Sequence, residues 1–249
     1  LGIKPDVINA NDWHTALAPF YLKTVYKNDP FFKETASIYT IHNLAYQGVI
    51  DKSIQEQIIR ITKECIPEEE IKQNPVLSML LEKYSRGKGF TLMELGVCFA
   101  DKINAVSQKY TQEILTKEGG EGLEDILNLR KDDLVGITNG INYKVWKPEG
   151  RKKERKLLLQ KELSLEINAD RPIVGIISRI AHQKGLDLVF DSGAIRQMIN
   201  KLGVRFVFFG TGPQQDVERY KGIFKKLKKE FPGKVYLEPT YNDDLAKRI

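Results

Sequence analysis

Short apolar runs alternate along the chain with longer amphipathic stretches. Val7 to Ala10 reads as a strand and Trp13 to Lys27 as a helix. Ser37 to Ile41, rich in β-branched and aromatic residues, is a second strand. Helical patterns follow over Ile54–Glu64 and Leu77–Phe99, separated by Pro67 and Pro75. Lys102–Val106 is a third strand, Gln108–Lys117 a helix, and Gly119-Gly120-Glu121-Gly122 a loop. Leu134–Ile137 is a fourth strand that ends in Thr138-Asn139-Gly140. After the turn Trp146–Gly150 comes a charged helix reaching about Leu165. Pro172–Ser178 is apolar nearly throughout, the pattern of a strand buried on both faces. A helix over Gly185–Lys201, the strand Phe206–Phe209, a helix to Phe231 and the strand Lys234–Leu237 complete the alternation. Asn242 then caps a final helix.

Strands alternating with helices of this length specify an α/β chain built from parallel β-α-β units. The pattern restarts at Ile173, which predicts two doubly wound halves, 1–150 and 151–249, joined by a connector within 148–171. The strand at Pro5–Ala10 follows Leu1 almost at once, and the last helix stops at Ile249 after about two turns. The chain therefore reads as an interior fragment of a longer protein.

Composition narrows the function classes. A 41% hydrophobic, 29% charged chain is ordinary for a globular protein, and no apolar run nears the ~18 residues that span a bilayer. Two cysteines, Cys65 and Cys98, suit a reducing compartment better than a disulfide scaffold. The net charge of +6 invites an anionic partner, but much of it sits in Arg151–Lys156 and Lys225–Lys229. No aromatic residues interleave with either run, so both are expected to be solvated helix faces and no nucleic acid is implied. HExxH, a Cys/His cluster and a GxSxG elbow are all missing from the sequence, so neither a metal nor a cofactor is expected.

In open parallel sheets, ligands bind beyond the carboxyl ends of the strands, and the residues there carry the candidate chemistry. Asn11-Asp12-Trp13-His14 follows the first strand: carboxylate and imidazole suit sugar hydroxyls, and indole suits a sugar face. The bland alternative is that Asp12 caps a helix. His42-Asn43-Leu44-Ala45-Tyr46-Gln47-Gly48 follows the second strand; an imidazole here can donate to a sugar hydroxyl or a phosphate oxygen, or can be purely structural. After the strand at Ile173 come Arg179 and Lys184, a guanidinium fork and a point charge suited to a diphosphate. Gly185 then opens a helix whose first amides favour an anion. Gly210-Thr211-Gly212-Pro213 permits close backbone approach to a nucleotide, or makes a tight turn.

Taken in order, these strings resemble the bacterial glycogen synthase and plant starch synthase family. They are Asp12-Trp13-His14, Tyr39–Gly48, Ala100–Ser107, Thr138–Ile141 and Ser178–Leu188, the last including His182 and Gln183. The resemblance implies a GT-B fold with two Rossmann-like domains, both incomplete in this chain. It also implies transfer of glucose from ADP-glucose to the non-reducing end of an α-1,4-glucan with retention, in the cytoplasm, or in a plastid in a plant. By resemblance Arg179 and Lys184 stabilise the leaving diphosphate and His42 lies near the transferred glucose. By resemblance too, Asp12 lies near the sugar and Asn139 lines the cleft; Trp13, His14, Asn43, Tyr46, Gln47, Gly210 and Gly212 are expected to bind substrate from their places after the strands. The family's Lys-Thr-Gly-Gly loop is expected before Leu1 and its Glu-bearing motif after Ile249. Two departures stand out: Glu94 where many members carry Lys, and Asn142 where Asp is usual. A UDP-glucose enzyme of sucrose-synthase type is the competing enzyme class. The competing non-enzyme class is a nucleotide-sugar- or glucan-binding piece; residues 1–249 alone are expected to transfer no glucose.

Overall fold

The structure, a computed structural model, describes residues 2–148, 150–181, 184–240 and 242–249. The chain divides into two compact units, 1–140 and 141–249, with the division ten residues before the end of the first half expected from the apolar pattern.

The first unit contains β1 (Val7–Asn11), α1 (Leu17–Lys23), β2 (Ala36–Ile41), α2 (Lys52–Cys65), α3 (Glu68–Gln73), α4 (Pro75–Ser85) and α5 (Leu92–Phe99). These are followed by β3 (Lys102–Ala105), α6 (Gln108–Glu113), α7 (Glu124–Leu129) and β4 (Leu134–Gly136). Its four strands are parallel in the order β1-β2-β3-β4, with Asn11 opposite Thr40 and Thr40 opposite Asn104. Tyr39, Ile41, Ile103 and Ala105 point to one face and are buried with Phe20, Leu80, Met93, Val97 and Leu127 from the helices. Each fully buried Val, Leu, Ile, Met or Phe side chain among them contributes about 1.5–3 kcal/mol.

Helix starts are set by local chemistry. Asn74 Oδ1 accepts from the Val76 and Leu77 amides, with Pro75 in the first turn of α4. Thr91 and Glu94 form a reciprocal capping box on α5. Glu94, the departure from the family's usual Lys, is thus buried as a cap and neutralised by Lys83 at 2.5 Å. The single helix expected over Leu77–Phe99 is broken because Gly87 and Gly89 adopt positive φ between α4 and α5. At the other end of α5, the Arg130 guanidinium donates to the Val97, Cys98 and Ala100 carbonyls and pairs with Asp133.

Asp101 joins α5 to β3 and fixes their relation to β2. Its carboxylate accepts from Ser37 N and Oγ at 2.7 and 2.9 Å and pairs with Lys23. Burial opposes ionisation of Asp101, but the bonds from Lys23 and Ser37 together hold its carboxyl below the usual range. Asp133 is lowered by its bond to Lys102, with Arg130 adding to the effect. A carboxyl depressed by folding stabilises above its unfolded pKa, and that contribution fades as pH falls through the folded value. Thermal melts of the first unit should therefore drop on acidification below about pH 4. Asp101→Asn should be less stable at neutral pH and have a flatter acid limb; an unchanged acid limb would count against the pairing.

The second unit runs through α8 (Tyr143–Trp146), α9 (Lys152–Glu162), β5 (Ile173–Ile177), α10 (Leu186–Phe190) and α11 (Ala194–Leu202). Then come β6 (Arg205–Phe209), α12 (Gln214–Glu230), β7 (Val235–Glu238) and α13 (Asp243–Arg248). Its strands are parallel in the order β5-β6-β7. β6 is buried throughout, with Phe208 packed among Phe190, Tyr220 and Phe224. β5 is more open than its apolar sequence suggested: Gly175 and Ile177 are exposed, because among the described residues β5 pairs only with β6. The helix expected over Gly185–Lys201 is two helices, interrupted at Ser192 and the left-handed Gly193. Asn142 caps α8 through Lys144 N, and Asn242 caps α13 through Leu245 N. Lys225, Lys226, Lys228 and Lys229 form the exposed face of α12 around buried Leu227, the solvated face expected of them.

Candidate active site

The loops beyond the carboxyl ends of β1, β2 and β4 carry the first unit's candidate residues. Asp12 is not the helix cap that the bland reading required. Its side chain bonds no helix amide, and the segment after it is a single 3-10 turn over Trp13–Thr15, separate from α1. Its backbone sits at φ 53°, ψ −177°, a region that is nearly glycine-only and costs on the order of 1–3 kcal/mol. Two bonds enforce it: Asp12 N donates to Thr40 O at 2.9 Å, and Asp12 Oδ1 accepts from His42 N at 2.8 Å. The strained turn thus ties the exit of β1 to the exit of β2, and strain of this kind clusters at functional sites.

His42 is exposed, with Nε2 3.0 Å from Asn11 Oδ1. Trp13 and His14 stack with centroids 3.9 Å apart, and the inner side of the indole lies on Gly48. A Cβ at Gly48 would come within 2.6 Å of Trp13 Cε3, so a glycine is required where the two loops cross. Asn43 Oδ1 closes a turn by accepting from Ala45 N, and Tyr46 is about half exposed. Gln47 donates from Nε2 to Glu121 O, which ties this loop to the glycine-rich loop after α6. Tyr110 of α6 accepts from Leu44 N. Asn104 Oδ1 accepts from Ile137 N and so directs the exit of β4 toward exposed Asn139.

In the second unit the ladder continues past the strand ends. Ser178 N donates to Phe209 O at 3.1 Å and Ile180 N to Thr211 O at 2.7 Å, so backbone bonds hold Arg179 on both sides. A Cβ at Gly210 would lie 1.9 Å from Ser178 O, and one at Gly212 would lie 2.6 Å from Ile180 O. The close approach these glycines permit is therefore to the loop carrying Arg179. Arg179 and Lys184 are both exposed, and among the described residues neither forms an ion pair. Gly185 is left-handed at the start of α10, which is only five residues long. His182 and Gln183 lie outside the described residues.

Other chemistry has little support. Among the described residues no three His, Cys, Asp or Glu side chains group to hold a metal. Burial pushes the Cys98 thiol up to about 12, which leaves it a poor nucleophile, and both cysteines are free. Among the described residues no helix is long and apolar enough to cross a membrane. A cavity of about 380 Å³ lined by Lys23, Lys27, Glu70, Asp101 and Arg130 lies at the amino ends of the strands. Its charges already pair with one another, and ligands of parallel sheets bind at the opposite end.

Asn11, Thr15, Tyr110 and Asn104 support the site but had no marked role in the sequence. Asn11 was visible only as a neighbour of Asp12, and Asn104 only as a member of the string Ala100–Ser107; nothing in the sequence signalled Thr15 or Tyr110.

The two parallel-sheet units, each with its polar loops at the carboxyl ends of the strands, make this an α/β protein and agree with the GT-B fold expected from the resemblance. The starch synthase catalytic domain family matches residues 1–129. Glycogen synthases of Thermosipho africanus and Thermotoga maritima are 40% and 36% identical to the chain; each alignment covers all of it and 50% of the relative. The catalytic domain of starch synthase IV from Arabidopsis thaliana, bound to ADP and acarbose, superposes with a TM-score of 0.75 at 27% identity, over all of this chain and 50% of that one. The chain belongs to the starch synthase catalytic domain family and spans about half the length of the curated relatives it matches.

Proposed function

We propose that the protein to which this chain belongs is a glycogen or starch synthase. It transfers glucose from ADP-glucose to the non-reducing end of an α-1,4-glucan with retention, in the cytoplasm, or in a plastid in a plant. The observation that carries this is that Arg179 and Lys184 are exposed, and form no ion pair among the described residues, on a backbone-anchored loop beyond β5 in a chain of this family. The bond from the glucose anomeric carbon to the diphosphate oxygen breaks, and its electron pair leaves with the diphosphate. The terminal glucan hydroxyl forms the new bond from the same face, and its proton passes to the leaving group. Arg179 and Lys184 neutralise the charge that develops on the diphosphate. His42, Asp12 and Asn139 hold the sugar, with Trp13, His14, Asn43, Tyr46 and Gln47 completing substrate contacts. Gly210 and Gly212 serve by shaping the loop under Arg179. The bound ADP of the Arabidopsis relative supports the choice of nucleotide. The reading requires neither metal nor cofactor.

The test is glucose incorporation into a glucan primer by the full-length protein with ADP-glucose or UDP-glucose. ADP-glucose should be used at least tenfold better. Strict dependence on UDP-glucose would overturn the proposed sugar nucleotide, and no transfer from either would overturn the enzyme reading.

A further inference from the structure

The amide of Asn11 has one orientation consistent with its neighbours. Its Nδ2 donates to Asn9 O at 3.2 Å, a partner that only accepts, so Oδ1 is the atom turned to His42 Nε2 at 3.0 Å. An amide oxygen cannot donate, so the contact exists only if Nε2 carries the ring proton. Asn11 is itself held tightly: its N–H donates to Thr15 Oγ1 at 2.5 Å, and Thr15 Oγ1 donates to Asn11 O at 2.8 Å. Neighbouring Asp12 grips the His42 backbone amide. Adjacent residues at the end of β1 thus fix both the ring and the main chain of the histidine at the end of β2.

We propose that Asn11 is the positioning residue for His42, holding its neutral ring as the Nε2–H tautomer and leaving Nδ1, which bonds none of the described residues, for a ligand. Resting on the glucosyltransfer reading, this assigns what the ring recognises. Bare Nδ1 accepts from a hydroxyl and repels a phosphate oxygen, so His42 reads a sugar hydroxyl of the glucosyl group. It does not serve as a neutral donor to the diphosphate, which is left to Arg179 and Lys184.

Nitrogen-resolved imidazole spectra test this directly, since the chain has three histidines and His42→Gln assigns the signal. The neutral His42 ring should carry its proton on Nε2, with a bonded N–H resonance visible at low temperature. In Asn11→Leu that proton should exchange about fivefold faster, the loss of one ordinary hydrogen bond. Asn11→Asp, which keeps an acceptor oxygen, should restore slow exchange. A neutral ring protonated on Nδ1, or an unchanged exchange rate in Asn11→Leu, would overturn the assignment. In the full-length enzyme Asn11→Leu should raise KM for the sugar nucleotide more than it lowers kcat, with Asn11→Asp recovering KM. A parent that transfers no glucose would sink the enzyme reading while the tautomer result stood.

Discussion

Replacing Arg179 with alanine in the full-length enzyme should lower kcat for glucose transfer by about 100- to 1000-fold, or roughly 3 kcal/mol of barrier. The fold should not notice. Arg179 is exposed, it joins no ion pair among the described residues, and its place is set by the backbone bonds of Ser178 and Ile180. Lys184→Ala should lower kcat in the same way. Arg179→Lys should recover part of the loss, since it restores the charge but not the planar fork that spans two phosphate oxygens. Neutralising Lys225 and Lys226 on the solvated face of α12 provides the charge-matched control and should leave kcat unchanged. Steady-state kinetics on these variants, with melting curves beside them, separate the cases. Full kcat in Arg179→Ala would end the diphosphate role assigned to it.

Gly210→Ala should destabilise the second unit by about 2–5 kcal/mol, combining overpacking with the loss of up to two backbone hydrogen bonds. The added methyl would stand 1.9 Å from Ser178 O, a backbone atom that can yield only by moving the whole loop. That movement would break the bonds from Ser178 N to Phe209 O and from Ile180 N to Thr211 O, and would carry Arg179 with it. Lost stability and lost transfer should therefore appear together. Gly222→Ala is the control: nothing lies within 4 Å of its Cβ position on helix α12, and the change should stabilise by about 0.5–1 kcal/mol. Denaturant unfolding of both variants checks this, and a Gly210→Ala protein as stable as its parent would refute the packing account.

The two predictions separate roles that sequence strings blend together. A Gly-x-Gly after a strand can face a nucleotide or a neighbouring loop, and the same letters serve both. Here the backbone of Ser178–Ile180 occupies the space a side chain would need. The glycines thus leave room for the loop that carries Arg179.

The alternation of strand and helix, and with it the parallel sheets, was legible in the sequence because the apolar period changes wherever the element type changes. So were the loops carrying Asp12, His42 and Arg179, since polar residues just past a strand mark the carboxyl end of a parallel sheet. The cap at Asn242 was readable too, because capping depends on neighbours in the chain; the cap at Asn142 opens a short helix that the sequence did not announce. Where the long helical patterns break could not be read from periodicity. Leu77–Phe99 keeps an apolar face on both sides of Gly87–Gly89, so the period runs on while the left-handed glycines and the capping box at Thr91 end one helix and start the next. The exposure of β5 was hidden for a related reason: an apolar strand looks the same with one neighbour or two. Tertiary structure alone decided that Asp12 takes a near-glycine backbone to hold His42, and that Asn11 meets the imidazole. Those partners lie 30 and 31 positions apart, and contacts at such separations leave no periodic trace in the chain; they exist only once two strands lie side by side.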